Sequence, residues 1–187
     1  VESTIAGLPA HILLVHAVVV LVPLTALGLV LVAVWPAARV RLVWPTVVLA
    51  AVTLALVPVT TEAGEWLEHR LPRTPLIRAH TELGDGLLPW VAGLAVVAVV
   101  VAVRHVVAVR AGRRVPAAVG GGGPEVPSAP APGGTVATVV VAVLAVMVAL
   151  GAVVTTVRIG DSGARAAWTG QVAEQPLGGS QGETDGG

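Results

Sequence analysis

Apolar residues in this chain come in long unbroken runs, not in the alternation of a strand or the one-sided stripe of a soluble helix. Four runs stand out: Ile12–Val34, Leu42–Thr61, Leu87–Val103 and Val136–Val157. A helix needs roughly 20 mostly apolar residues to cross a hydrocarbon layer about 30 Å thick, whereas a barrel strand needs only about 10 and alternates. None of the four alternates, and in lipid an open backbone leaves its N–H and C=O groups unsatisfied. The pattern predicts an all-α fold, an integral membrane bundle of four transmembrane helices. The third run is the shortest and can lengthen through Gly84 and Asp85 or through Val106–Val109. Pro9 suits a first helical turn. Pro23, Pro58 and Pro89 lie within or near the ends of the runs, where each frees a carbonyl and bends its helix.

Composition agrees with the pattern. The chain is 55% hydrophobic and 12% charged, about half the charged share of a soluble domain. Its 187 residues suffice for one bundle. The absence of cysteine excludes disulfides, thiolate metal sites and cysteine nucleophiles. A formal net charge of zero gives no footing for nucleic acid. Residues 1–110 hold three helices, and residues 136–170 add the fourth helix with a polar motif behind it. Between them, 111–135 contain GGGG and PSAPAPGG and read as a flexible cytoplasmic linker. Residues 171–187, glycine-rich and acidic, read as a disordered tail. The first run is expected to be a membrane span and not a cleavable signal, since Glu2 before it is acidic and its apolar length is too great.

Arginine sets the orientation. Arg39 and Arg41 fill the short first loop, and Arg104, Arg110, Arg113 and Arg114 follow the third run, with no acid adjoining either group. On the other side Arg70, Arg73, Arg78, Arg158 and Arg165 mix with every carboxylate except Glu125. The expectation is a multi-pass protein of the cell membrane, surrounded by lipid bilayer, with both termini outside and the linker cytoplasmic. Trp35 and Trp44 then mark the inner interface, Trp66 and Trp90 the outer one.

Candidate chemistry gathers on the outer side. His11 and His16 open the first helix (GLPAHILLVH), and Glu62 and Glu65 follow the second (TTEAGEWLEHRL). His80, Glu82 and Asp85 precede the third (HTELGDGLLPW), and Asp161 follows the fourth (RIGDSGARAAW). Four separate segments thus deliver imidazoles or carboxylates to one membrane depth. At about 100° per residue, His11 and His16 point roughly 140° apart, so a regular helix cannot aim both at one ion. His16 lies inside an apolar run and must pair with a protein group or a cofactor. Gly84, four residues after His80, leaves a bare patch that admits a neighbouring helix or a flat cofactor. His69 and His105 read as interfacial surface residues. No Ser-His-Asp, HExxH, Walker or dinucleotide pattern is present, which disfavours an ordinary hydrolase or nucleotide enzyme.

The order GLPAH-x4-H, TxxGE, HxELGD, RIGxSGAxAxW resembles the bacterial membrane proteins of the domain of unknown function 2231 family, from about Ile5 to Trp168. The resemblance implies a four-helix bundle and points to His11, His16, Glu65, His80 and Asp85. Some relatives are fused to Rieske iron–sulfur or c-type cytochrome domains, which implies electron transfer near the membrane surface. Many relatives have proline where this chain has Ile12, and often histidine where it has Asp161. The leading expectation is a haem b-binding electron carrier, working with a redox partner protein or quinone. Axial imidazoles must come from different helices; His16 and His80 are the first choice and His11 the alternate. A divalent-metal site from His80, Glu62, Glu65, Glu82, Asp85 and Asp161 is the second expectation. A cofactor-free subunit or scaffold is the third.

Overall fold

The computed structural model describes residues 4–5, 7–113 and 132–171. A two-residue hairpin, β1 (Thr4–Ile5) with β2 (Leu8–Pro9), turns at Gly7, whose φ of 80° is open to glycine. Helices follow: α1 (Ala10–Val34), α2 (Pro36–Glu68), α3 (Pro75–Asp85), α4 (Leu87–Arg113) and α5 (Pro132–Trp168). Among the described residues four helical stretches are long and apolar enough to cross a membrane: α1, α2, α3 continued by α4, and α5. Their outer surfaces are as apolar as their inner ones, with Val20, Leu27, Val48, Val96, Val143 and Leu150 all exposed. A helix apolar on all sides is one made for lipid.

The helices outrun the apolar segments, which corrects several boundaries. Arg39 and Arg41 do not fill a loop. A single extended residue, Trp35, joins α1 to α2, and Pro36 opens α2 where its missing N–H costs nothing. Glu62 and Glu65 ride on α2 instead of following it, and Asp161 lies within α5. The segment before the third span is a helix of its own, α3. It is capped by Thr74, whose hydroxyl accepts from the Ile77 amide at 3.2 Å, and Pro75 follows the cap. Pro89 is the third residue of α4, where its N–H would have had no partner. Of the 111–135 linker, residues 111–113 finish α4 and 132–135 begin α5; its middle, and the tail beyond residue 171, lie outside the described residues.

Four helices close a ring in which α1 and α4 each pack against both α2 and α5. The buried positions show what this ring is made of. In α1 they include Val18, Val22, Thr25, Leu29, Val32 and Ala33. Moved along by 69 residues, the separation of His11 from His80, these become Leu87, Val91, Leu94, Ala98, Val101 and Ala102, all buried in α4. Likewise Thr46, Ala50, Thr53 and Val57 of α2 become, 99 residues on, Ala145, Ala149, Ala152 and Thr156 of α5, again all buried. The α1–α2 and α4–α5 hairpins therefore repeat one burial pattern, as an approximate two-fold axis along the bundle requires. Small residues make the close approaches. A Cβ on Gly28 would stand 3.0 Å from the Thr46 hydroxyl, and one on Gly151 would overlap the Trp90 ring. Inside the first hairpin, the buried Thr25 and Thr53 hydroxyls bond each other at 3.0 Å.

Candidate ligand site: paired imidazoles at one end of the bundle

The same repeat governs the polar end. His11 lies on the face of α1 defined by Val18, Thr25 and Val32, seven residues apart; His80 precedes Leu87, Leu94 and Val101 by the same interval. Seven residues are about two turns, so each histidine caps the buried stripe of its hairpin. His11 Nδ1 stands 2.9 Å from the Thr60 carbonyl on α2. A carbonyl only accepts, so Nδ1 carries the proton and the neutral ring keeps a lone pair on Nε2. His80 Nδ1 stands 3.0 Å from Ser162 Oγ on α5. The Ser162 hydroxyl donates to the Ile159 carbonyl at 2.8 Å, so its oxygen accepts from His80. The second ring is thereby fixed in the same tautomer, with Nε2 free.

Behind each ring is a glycine. A Cβ on Gly64 would stand 2.9 Å from His11 Cε1 and Nδ1, and one on Gly163 would stand 2.9 Å from His80 Cε1. Gly64 follows Thr60 by four residues, as Gly163 follows Ile159, and the two glycines are related by the 99-residue shift of the helices that carry them. The rings meet each other between the hairpins, with centroids 6.3 Å apart and planes at 79°. His80 sits in α3, ahead of the apolar span that begins at Leu87. Burial, and after it the neighbouring His11, hold its imidazole below the ordinary histidine range, against an opposing pull from the Ile159 backbone.

The other predicted residues take different places. His16 is exposed on the opposite side of α1, and its Nδ1 bonds the Ile12 carbonyl of its own helix at 2.6 Å. It is not brought to His80. Glu62, Glu65, Glu82 and Asp85 are exposed. Asp161 pairs with Arg165 one turn on, at 2.9 Å, also in the open. Among the described residues no three histidines and carboxylates converge closely enough to hold an ion. His69 bonds the Glu65 carbonyl at 2.7 Å and is exposed. Gly64, Ser162 and Gly163, which help fix the two rings, stand in the motifs TxxGE and RIGxSGAxAxW but were given no role from sequence, and Thr60 lies just outside them. The chain matches no family model, no curated protein and no solved structure.

Proposed function

We propose that this protein is a membrane electron carrier in which His11 and His80 ligate one haem b iron near the outer face. One observation carries the reading: two imidazoles from different helices, each with Nδ1 committed and Nε2 free, stand 6.3 Å apart centroid to centroid. With metal–nitrogen bonds of about 2.0–2.1 Å, two opposed imidazoles on one ion stand roughly 6 Å apart by their centroids. A carbonyl or hydroxyl on the second nitrogen is the usual support for a ligating histidine. The α3 face one turn beyond His80 is also bare, since a Cβ on Gly84 would meet nothing within 4 Å. Iron held by two imidazoles supplies one-electron transfer. The resemblance to the domain of unknown function 2231 family points the same way, and a protein or quinone is the expected partner.

In this reading both termini and the histidine end face outward, and the arginine-flanked linker is cytoplasmic. Gly120→Cys, in a chain with no other thiol, resists an impermeant reagent in intact cells if that is right and labels readily if it is inverted. For the cofactor, protein purified after expression with ample haem is expected to show a Soret band that His80→Ala removes. A colourless protein that also fails to take up added haemin sinks the proposal.

A further inference from the structure

The opposite end of the bundle carries a different arrangement. Arg39 and Arg104 line one open depression among α1, the start of α2, α4 and α5, with Thr138 at its rim and Ala33, Val101 and Val141 as its apolar walls. Arg39 is half-buried. Its Nε and Nη2 each donate at 2.6 Å, to the Val32 and Ala33 carbonyls at the end of α1. Arg104 Nη2 donates at 3.0 Å to Thr138 Oγ1, whose own proton goes to the Gly134 carbonyl at 2.7 Å. A guanidinium has five N–H donors, so these bonds aim the two groups and leave most of their donors unused. Among the described residues neither arginine meets a carboxylate, and the ion pair found there, Arg165 with Asp161, is at the histidine end. Two positive groups held beside apolar walls, flanked by the exposed Trp35 and Trp44, sit where tryptophan marks the boundary of the hydrocarbon.

We propose that Arg39 and Arg104 form a binding site for the phosphate of an anionic phospholipid, with Thr138 positioning Arg104. The chemistry recognised is a phosphodiester, for which guanidinium forks are suited. Its source is a lipid because the walls of the depression are apolar and the helices that carry it expose valine and leucine on their outer surfaces. Basic pockets between transmembrane helices take such headgroups.

The test is titration of the full-length protein in detergent with short-chain phosphatidylglycerol, phosphatidylcholine or inorganic phosphate, read by native mass spectrometry and by thermal unfolding. Phosphatidylglycerol should bind and stabilise most strongly. Arg104→Gln should weaken its binding about fivefold and Arg39→Gln by a similar factor, with Thr138→Val in between wild type and Arg104→Gln. Because Arg39→Gln also uncaps α1 and can unfold the corner, Arg104→Gln decides the matter. Equal binding of phosphatidylcholine and phosphatidylglycerol, or an undiminished preference in Arg104→Gln, overturns the site. Stabilisation by inorganic phosphate as strong as by the lipid overturns its assignment to lipid.

Discussion

The α1–α2 and α4–α5 hairpins bury matching positions and each present one histidine, yet they hold those rings by different atoms. In the first hairpin His11 donates to a main-chain carbonyl, that of Thr60. In the second, a serine hydroxyl stands between His80 and the equivalent carbonyl of Ile159. Position 63, the counterpart of Ser162, is alanine, and it is buried. What the two hairpins share is the outcome: a glycine behind the ring, Nδ1 occupied, Nε2 left over. When different side chains reach one geometry at matched positions, the geometry is the better guide to what the end of the bundle is for. The arginine end differs: there the 99-residue shift sets Arg39 opposite Thr138, so matched positions carry unlike groups, and the long side chains turn back onto helix ends and a neighbouring threonine.

The comparison breaks most easily at the rings themselves. His11→Ala and His80→Ala should each weaken haem binding by more than about a hundredfold, since loss even of a supporting partner costs 10–100-fold, while His16→Ala leaves it within about twofold. Haemin titration of the three variants checks this. Next come the glycines. Gly64→Ala and Gly163→Ala should have matching effects, each pushing a ring off its seat at a cost of about 1–3 kcal/mol, read as lowered thermal stability and weaker haem uptake. A loss confined to one glycine would mean that the hairpins are not equivalent.

A finer test exchanges the one atom that differs. Ser162→Ala should cost about tenfold in haem affinity, the low end for a supporting group, because the Ile159 carbonyl remains as an alternative acceptor. The reduction potential should move as well, which a purely structural serine would not cause. The smallest effect concerns pH. Folding lowers the pKa of His80, so the folded state favours the neutral ring. That contribution is complete above the unfolded value of about 6.5 and fades as pH falls below it toward the folded pKa. Unfolding of the cofactor-free protein at pH 7.5 and at pH 5 should show lower stability in acid, with a smaller difference in His80→Gln.

Much of this fold is legible in the apolar runs, because length and lack of alternation determine a membrane helix almost alone. Helix ends are not. Glu62 to Glu68 and Arg158 to Trp168 continue α2 and α5 into polar sequence, where hydropathy falls but hydrogen bonding does not. The choice between His11 and His16 shows the deeper limit. Their divergence by about 140° follows from the helix, but which of them faces inward depends on how α1 is rotated. In a segment where both faces are valine and leucine, composition does not report that rotation. Only the buried stripe of Val18, Val22, Thr25, Leu29 and Val32 does. The carboxylates illustrate the same point, since convergence at one depth places Glu62, Glu65, Glu82 and Asp85 near one another in height without turning them toward one another.

In the proposed function His11 and His80 act as a pair on one iron. Electron paramagnetic resonance of the haem-loaded ferric protein tests it most directly, because two imidazole ligands give a low-spin signal and one gives a high-spin signal. The wild type is expected to be low-spin, to become high-spin in both His11→Ala and His80→Ala, and to stay low-spin in His16→Ala. A low-spin signal that survives both substitutions, or one lost with His16 instead, would contradict it.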